Sequence, residues 1–392
     1  MRILFISHRL TRNGATLALL QELRYLHEHC KDLEFEVFSP YDGPLRDDFK
    51  KICPTHYLSN RLRDQLYRHF WTKISGRPYL FGFKKGDFDL IYTNTVTMAS
   101  IADTLKKEWG IPCILHFHEA VTSNYSALKS KSSILAHDFF IAVSELTKRN
   151  LVDYYGISPS KIEIQYPLSH CLDSYLQNNL PIDAVPSFGN KVVMGICGRY
   201  DWVKSSDLIP LIIKNFFTQH PDATCHFVYV CRFFSDQEKC NFDYDLKKLN
   251  VEDKITIVEE VDNPLPYFKR FDIFLMPSRE ESFSLTAQEA AIMETPVVGF
   301  EGVTGAEEWL KDKGGMFVPY MDLDKLSDAL YLLYSDEALR KSKGVTSKRL
   351  VLEMFGQASK MEGVVQAIRR FDKAYSLIIR CSIPHFRLYN ST

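Results

Sequence analysis

Residues 276–309 read MPSREESFSLTAQEAAIMETPVVGFEGVTGAEEW. The apolar run FDIFLM (271–276) predicts a strand that ends at Met276. A short polar loop then carries Glu281, a helix from about Thr286 to Glu294 carries Glu289, and TPVVGF (295–300) begins another strand. Strand, turn, helix and strand at this spacing form one unit of a parallel sheet with helices on its faces. The turn presents free backbone N–H groups and the positive end of a helix dipole, which together suit an anion. Carboxylates at the lip of such a site repel the anion itself, so Glu281 and Glu289 are better suited to hydroxyls flanking a diphosphate. Thr286-x-x-Glu289 also matches a capping box, and Glu281 also fits an exposed acid near a helix start. The residues alone leave both readings open.

The same rhythm runs outward in both directions. Toward the N-terminus it predicts strands at 2–7, 33–39, 89–93, 113–117, 139–144 and 161–166, and after a break at 191–197, 225–231 and 254–259; beyond the quoted stretch comes 315–318. The break is PLSHCLDSYLQNNLPIDAVPSFGN (167–190), rich in proline and polar residues, which reads as a linker. The chain therefore divides into two α/β halves, 1–180 and 181–370. A ligand is expected where the carboxyl ends of the two sheets face each other.

Composition narrows the function. The 392 residues are 45% hydrophobic and 25% charged, which is ordinary for a folded globular chain. Lys+Arg 48 against Asp+Glu 49 gives a net charge of -1, so no global field recruits nucleic acid and no nucleic-acid partner is expected. Nine cysteines with no C-x-x-C pair fit a reducing compartment rather than a disulfide framework or zinc site. The start lacks a signal-peptide core and no stretch is long enough to span a bilayer, so a cytoplasmic protein is expected. G-x-G-x-x-G, the P-loop, H-E-x-x-H and G-x-S-x-G are all absent. Three D-x-D triplets, at 87–89, 243–245 and 322–324, show how cheap that motif is, and no metal site is assigned to them.

GICGRYDWVKSSDLI (195–209) places Arg199 and Lys204 just after a strand, on a Gly-containing turn where a forked guanidinium and an ammonium can both meet phosphate oxygens. The plainer reading is a solvated pair partnered by Asp201 and Asp207. In the first half CILHF (113–117) runs into His118 and Glu119; a histidine at a strand's carboxyl end can bond a substrate or move a proton, whereas His116 reads as structural. Gly14 follows the first strand and permits close backbone approach to a ligand. Residues 61–85 hold seven Lys/Arg against one acid, with Tyr67, Phe70, Trp71, Tyr79, Phe81 and Phe83 interleaved. That mixture suits an anionic membrane surface or lipid-linked phosphate acceptor, and equally an amphipathic core helix with a basic outer face.

Together these segments resemble the family 4 retaining glycosyltransferases, whose GT-B architecture sets two Rossmann-like domains face to face with a nucleotide-sugar in the cleft. Glu281 and Glu289 meet the E-x7-E spacing, after Pro277-Ser278 and before Pro296-Val297-Val298. Arg199 and Lys204 match the R-x4-K phosphate pair, and Gly305 with Glu308 match a later G-x-x-E element. The resemblance implies that Glu289 holds ribose and Glu281 the donor sugar. It further implies that Arg199 and Lys204 hold the diphosphate with amides around Ser282, Phe283, Ser284 and Leu285, and that His118 contacts the sugar or positions the acceptor. Catalytic weight then falls on His118, Glu281, Arg199 and Lys204, and Gly14 lines the donor site. It also implies that the C-terminal segment, from about 371 to 392, crosses back to complete the first domain. Two departures stand out: the usual Gly-Phe-Gly reads Ser282-Phe283-Ser284, and the Gly after the lysine is Ser205.

Since fixed cations and a helix N-terminus can neutralise a departing diphosphate, the expectation is a metal-independent enzyme needing no cofactor. It would move a hexose-type sugar with retention from a nucleoside diphosphate sugar, UDP before GDP, to a saccharide or lipid-linked acceptor. The setting expected is cell-surface polysaccharide or glycolipid synthesis, at the inner face of a membrane if 61–85 binds lipid. A non-catalytic nucleotide-sugar-binding subunit and an epimerase on the same scaffold are the alternatives.

Overall fold

The computed structural model describes residues 1–57, 82–120, 131–169, 185–259, 261, 263–358 and 360–372. The basic, aromatic stretch 61–81, most of the linker and residues 373–392 lie outside the described residues.

Two parallel sheets organise the chain, as the GT-B resemblance implies. The first has seven strands in the order β3-β2-β1-β4-β5-β6-β7. These are β1 (Arg2–Ile6), β2 (Glu34–Ser39), β3 (Thr55–Tyr57), β4 (Leu90–Thr93), β5 (Cys113–Phe117), β6 (Phe139–Ala142) and β7 (Ile162–Ile164). The second has six in the order β10-β9-β8-β11-β12-β13: β8 (Val193–Arg199), β9 (His226–Arg232), β10 (Ile255–Glu259), β11 (Ile273–Met276), β12 (Val297–Phe300) and β13 (Gly315–Val318). Every residue of β4, β5, β11 and β12 is buried, which is why these strands read as continuous apolar runs rather than alternating ones. The edge strand β3 has no such run and was not expected. In each sheet the winding reverses next to the first strand, between β1 and β4 and between β8 and β11. The loops after those strands diverge and leave a crevice at their carboxyl ends.

Five helices frame the crevices: α1 (Gly14–His29), α2 (Glu145–Tyr155), α3 (Leu285–Ile292), α4 (Glu337–Ala358) and α5 (Glu362–Arg369). Asn13 Oδ1 caps α1 by accepting the Thr16 N–H at 3.1 Å. Ser144, expected at a strand end, instead caps α2, its Oγ accepting the Thr147 N–H at 2.9 Å. Helix α3 starts one residue earlier than expected because Ser284, not Thr286, is its N-cap. The chain returns to the first sheet sooner than residue 371. Met361, Val364, Ala367 and Ile368 are buried in the core built on β1, β2 and α1, Gly363 N–H donates to Gln165 Oε1, and Arg369 pairs with Asp32. Among the described residues no helix is long and apolar enough to cross a membrane.

Candidate active site

The donor-side loops are fastened to each other before any ligand is considered. Arg279, in the loop after β11, donates to both carboxylate oxygens of Asp207 at 2.6 and 2.8 Å and to Trp202 O at 2.8 Å, with its guanidinium 5.0 Å from the Trp202 ring centre. A bidentate fork stacked on indole holds one geometry well. It ties the loop after β11 to the loop after β8, so Asp207 is Arg279's partner rather than a partner of Arg199 or Lys204. Nothing in the spacing of the sequence marked Arg279 for this.

On that base, Lys204 Nζ forms an ion pair with Glu281, both side chains partly buried. The structure therefore joins one residue of R-x4-K with one of E-x7-E. Arg199 turns away toward Asp201, and its side chain is 60% exposed. Asp201 also accepts the Lys204 N–H at 2.8 Å, which fixes the turn. Arg199 and Arg232 are register neighbours at the ends of β8 and β9 and line a cavity of about 320 Å³ with Cys197, Gly198, Val261 and Pro264.

Glu281 N–H donates to Val303 O at 2.7 Å, while the N–H groups of Ser282, Phe283, Ser284 and Leu285 donate to nothing among the described residues. Phe283 anchors the loop from below, buried with Val143, Ala291, Ile292, Val351 and Met354. Ser284 reaches φ 76°, ψ 93° and accepts the Ala287 N–H at 3.3 Å. Ser205 sits at φ 54° with a buried hydroxyl that has no partner among the described residues. Both serines thus occupy left-handed backbone that favours glycine, at the two places where the family pattern has glycine.

Glu289 does not close a capping box. It is 5% exposed, and its Oε1 accepts Ser169 Oγ–H at 2.8 Å from the stretch after β7. Its neighbour Gln288 accepts the Ser169 N–H at 2.8 Å and donates to Pro167 O at 2.9 Å. Further contacts join the halves. Ser144 Oγ donates to Ser282 O at 2.7 Å. Glu308 accepts the Leu146 and Glu145 N–H groups at 2.7 and 3.1 Å, so the α2 N-terminus is capped by a carboxylate from the other half. Burial raises the Glu308 carboxyl above its ordinary value. A Cβ on Gly305 would lie 2.7 Å from Ser282 O and 2.8 Å from Ser144 Cβ, so only glycine permits this approach. Gly14 faces the start of α3, where an added Cβ would meet Leu285 Cδ1 at 3.5 Å.

In the first half, Asn94 Nδ2 donates to Ala15 O at 2.9 Å, so its Oδ1 faces His118 Nε2 at 3.2 Å. An amide oxygen only accepts; His118 is therefore protonated on Nε2 and keeps Nδ1 as an acceptor. Burial and the adjacent His116 push His118 well below the ordinary histidine value, leaving it neutral. Its hydrogen-bond and ring partners all belong to the first half. Glu119 staples the loop, accepting the Val96 and His118 N–H groups, both at 3.0 Å, and burial lifts it to about 7.

Two family patterns match the chain on either side of the linker: Glycosyltransferase Family 4 over residues 12–167 and Glycosyl transferases group 1 over residues 191–336. The chain belongs to glycosyltransferase family 4. Its GT-B architecture is shared with Anabaena HepE in complex with UDP-glucose, at TM-score 0.69 and 17% identity over 96% of this chain and 100% of that one. The glycosyltransferase is also similar to a D-inositol 3-phosphate glycosyltransferase of Kineococcus radiotolerans, 23% identical over 84% of this chain and 79% of the relative. A lipopolysaccharide core biosynthesis mannosyltransferase of Rhizobium leguminosarum bv. viciae is 27% identical over 42% of this chain and 46% of its own.

Proposed function

We propose that this glycosyltransferase moves a hexose-type sugar, with retention and without a metal, from a UDP-sugar to a saccharide or lipid-linked acceptor. The observation that carries the reading is the Lys204–Glu281 pair beside the unpartnered amides of 282–285. A diphosphate arriving at the α3 N-terminus competes for Lys204, and the released Glu281 carboxylate is then free to accept hydroxyl hydrogen bonds from the donor sugar. Lys204, the amides and the helix dipole stabilise the departing diphosphate, with Arg199 swinging from Asp201 to join them. Glu289 takes the ribose hydroxyls in exchange for Ser169, and His118 Nδ1 accepts a sugar hydroxyl. Attack comes from the face the leaving group occupies. UDP is favoured because HepE, with the same fold, is complexed with UDP-glucose, and a saccharide-type acceptor because the Rhizobium relative is named for lipopolysaccharide core biosynthesis.

Thermal unfolding with UDP, GDP, ADP or CMP, each with EDTA, tests the donor site, since a ligand at about 100 times its Kd stabilises by roughly 2.7 kcal/mol. UDP is expected to raise the midpoint of the wild type and not of Glu289→Ala. Product NMR tests the stereochemistry, and an inverted anomeric centre overturns the mechanism. Loss of turnover in EDTA overturns its metal independence.

A further inference from the structure

Behind His118 lies a group of buried ionisable side chains to which the reading above gives no task. Glu22, in the middle of α1, is 2% exposed, and Tyr92 on β4 and His116 on β5 are 0% exposed. Tyr92 O–H donates to Glu22 Oε2 at 3.0 Å. His116 Nδ1 lies 2.8 Å from Tyr92 Oη and 3.2 Å from Glu22 Oε1. The neighbours of Glu22 along α1, Leu19, Leu20, Leu23 and Leu26, are all buried in the apolar core, so packing alone calls for another leucine at position 22. A carboxyl held at that depth is costly unless every lone pair is met. One polar atom of the cluster is not met: His116 Nε2 is buried and has no partner among the described residues. The His116 ring stacks against the His118 ring with centroids 4.0 Å apart and 36° between planes.

We propose that Glu22, Tyr92 and His116 are positioning residues that hold one exchangeable proton beneath His118 and thereby set its orientation and its strength as a hydrogen-bond acceptor for sugar. The proposal rests on the reading of His118 as a sugar-contacting residue. With Glu22 ionised, Tyr92 O–H and His116 Nδ1–H both donate to its carboxylate, and His116 Nε2 carries a lone pair. When the cluster takes up one proton it binds at His116 Nε2, while the Nδ1 proton passes to Glu22 Oε1 across the 3.2 Å contact. The new Glu22 O–H then donates to the Nδ1 lone pair. One proton is gained, the carboxylate charge disappears, the imidazole stays neutral, and its tautomer is reversed under His118.

The groups that bear on His118 are His116, Glu22 and His8, with Glu119 accepting its N–H and Arg9 acting on His8. Those that bear on Glu22 are His118 and Tyr92 and His116. Burial raises the Glu22 carboxyl to about 7 and lowers His116 to about 3. The exchange therefore belongs to the carboxyl and falls in the physiological range.

The test uses full-length protein labelled with 15N-histidine, with ring nitrogen shifts followed from pH 5.5 to 8.5. Spectra of His118→Asn assign the His118 signals. The expected result is a step in the wild-type His118 shifts with its midpoint near pH 7, absent in Glu22→Gln. In Tyr92→Phe, which removes a donor to the carboxylate, the midpoint moves upward by at least half a pH unit. A step that persists in Glu22→Gln, or flat wild-type shifts, overturns the cluster. If Glu22→Gln does not fold, an unmoved midpoint in Tyr92→Phe does so. UDP-glucose consumption over the same range supplies the second readout: a wild-type limb near pH 7 that Glu22→Gln loses, with KM changed less than twofold. Full turnover by His118→Asn alongside a normal wild-type step overturns the sugar-contact reading and leaves the proton exchange without a catalytic role. Turnover that needs His118 but shows no step overturns the cluster alone.

Discussion

The two crevices of this protein are built in opposite ways. At the end of the second sheet, charges stand on short loops, pair across those loops and sit beside unbonded amides; Lys204, Glu281, Ser205 and Ser284 all lie within ten residues of a strand end. At the end of the first sheet the polar groups are sunk beneath the surface, and Glu22, Tyr92 and His116 meet only because α1, β4 and β5 pack together. The first arrangement exchanges partners when an anion arrives. The second is preset and responds to protons rather than to ligands.

That contrast can be broken most directly at Lys204. If the donor side works by exchanging charge partners, Lys204→Ala and Glu281→Ala each lower kcat by about 10²-fold or more, the scale seen when a preorganised electrostatic group is removed. Circular dichroism should show both variants folded. Equal activity in either variant would erase the distinction between the two crevices.

The first-sheet crevice is sharpened by stability rather than by rate. Glu22 has its folded-state value raised from 4.5 to about 7, so its contribution to stability is fullest below about pH 4.5 and is lost as pH rises through 7. Glu22→Gln lacks that loss. Relative to wild type it should gain stability between pH 5 and 8, on the order of 3 kcal/mol at most, measured by urea unfolding at several pH values. The neutral His116, held down at about 3, acts the other way in both proteins: its contribution is present above pH 6.5 and is lost as pH falls toward 3.

Between the two crevices stands Glu308. Replacing it with Gln keeps the shape but removes the charge that caps α2, at a cost of about 1 kcal/mol. The expected sign is a looser pairing of the halves, read as a several-fold weaker UDP affinity and a larger radius of gyration in solution scattering. The smallest effect belongs to Ser205→Gly. Relief of left-handed strain and of an unbonded buried hydroxyl should stabilise the protein by about 1 kcal/mol, with a raised unfolding midpoint and unchanged turnover.

How much of this was legible in the sequence follows the same division. Glu281, Glu289, Arg199 and Lys204 stand at short fixed spacings beside strands that read clearly, so the second crevice could be drawn from local pattern. The two serines at glycine positions were visible as departures, but their left-handed backbone was not, because φ is set by the turn rather than by residue type. Glu22 gave no signal. It interrupts an apolar helix face in one place, and its partners lie 70 and 94 positions away. The helix that returns to the first sheet was expected too late, since Val364 and Ile368 show an apolar stripe but not what the stripe covers. Edge strand β3 was missed because three residues carry no period.

The return of α5 has a further consequence for how the protein is made. Strands β1 to β7 leave the ribosome first, yet the core they share with α1 lacks Met361, Val364, Ala367 and Ile368 until nearly the whole chain has been synthesised. The second sheet can be assembled from consecutive residues in the meantime. The first half to be translated is thus the last to be sealed, and a nascent chain halted before Glu362 would carry an uncovered apolar groove along its oldest strands.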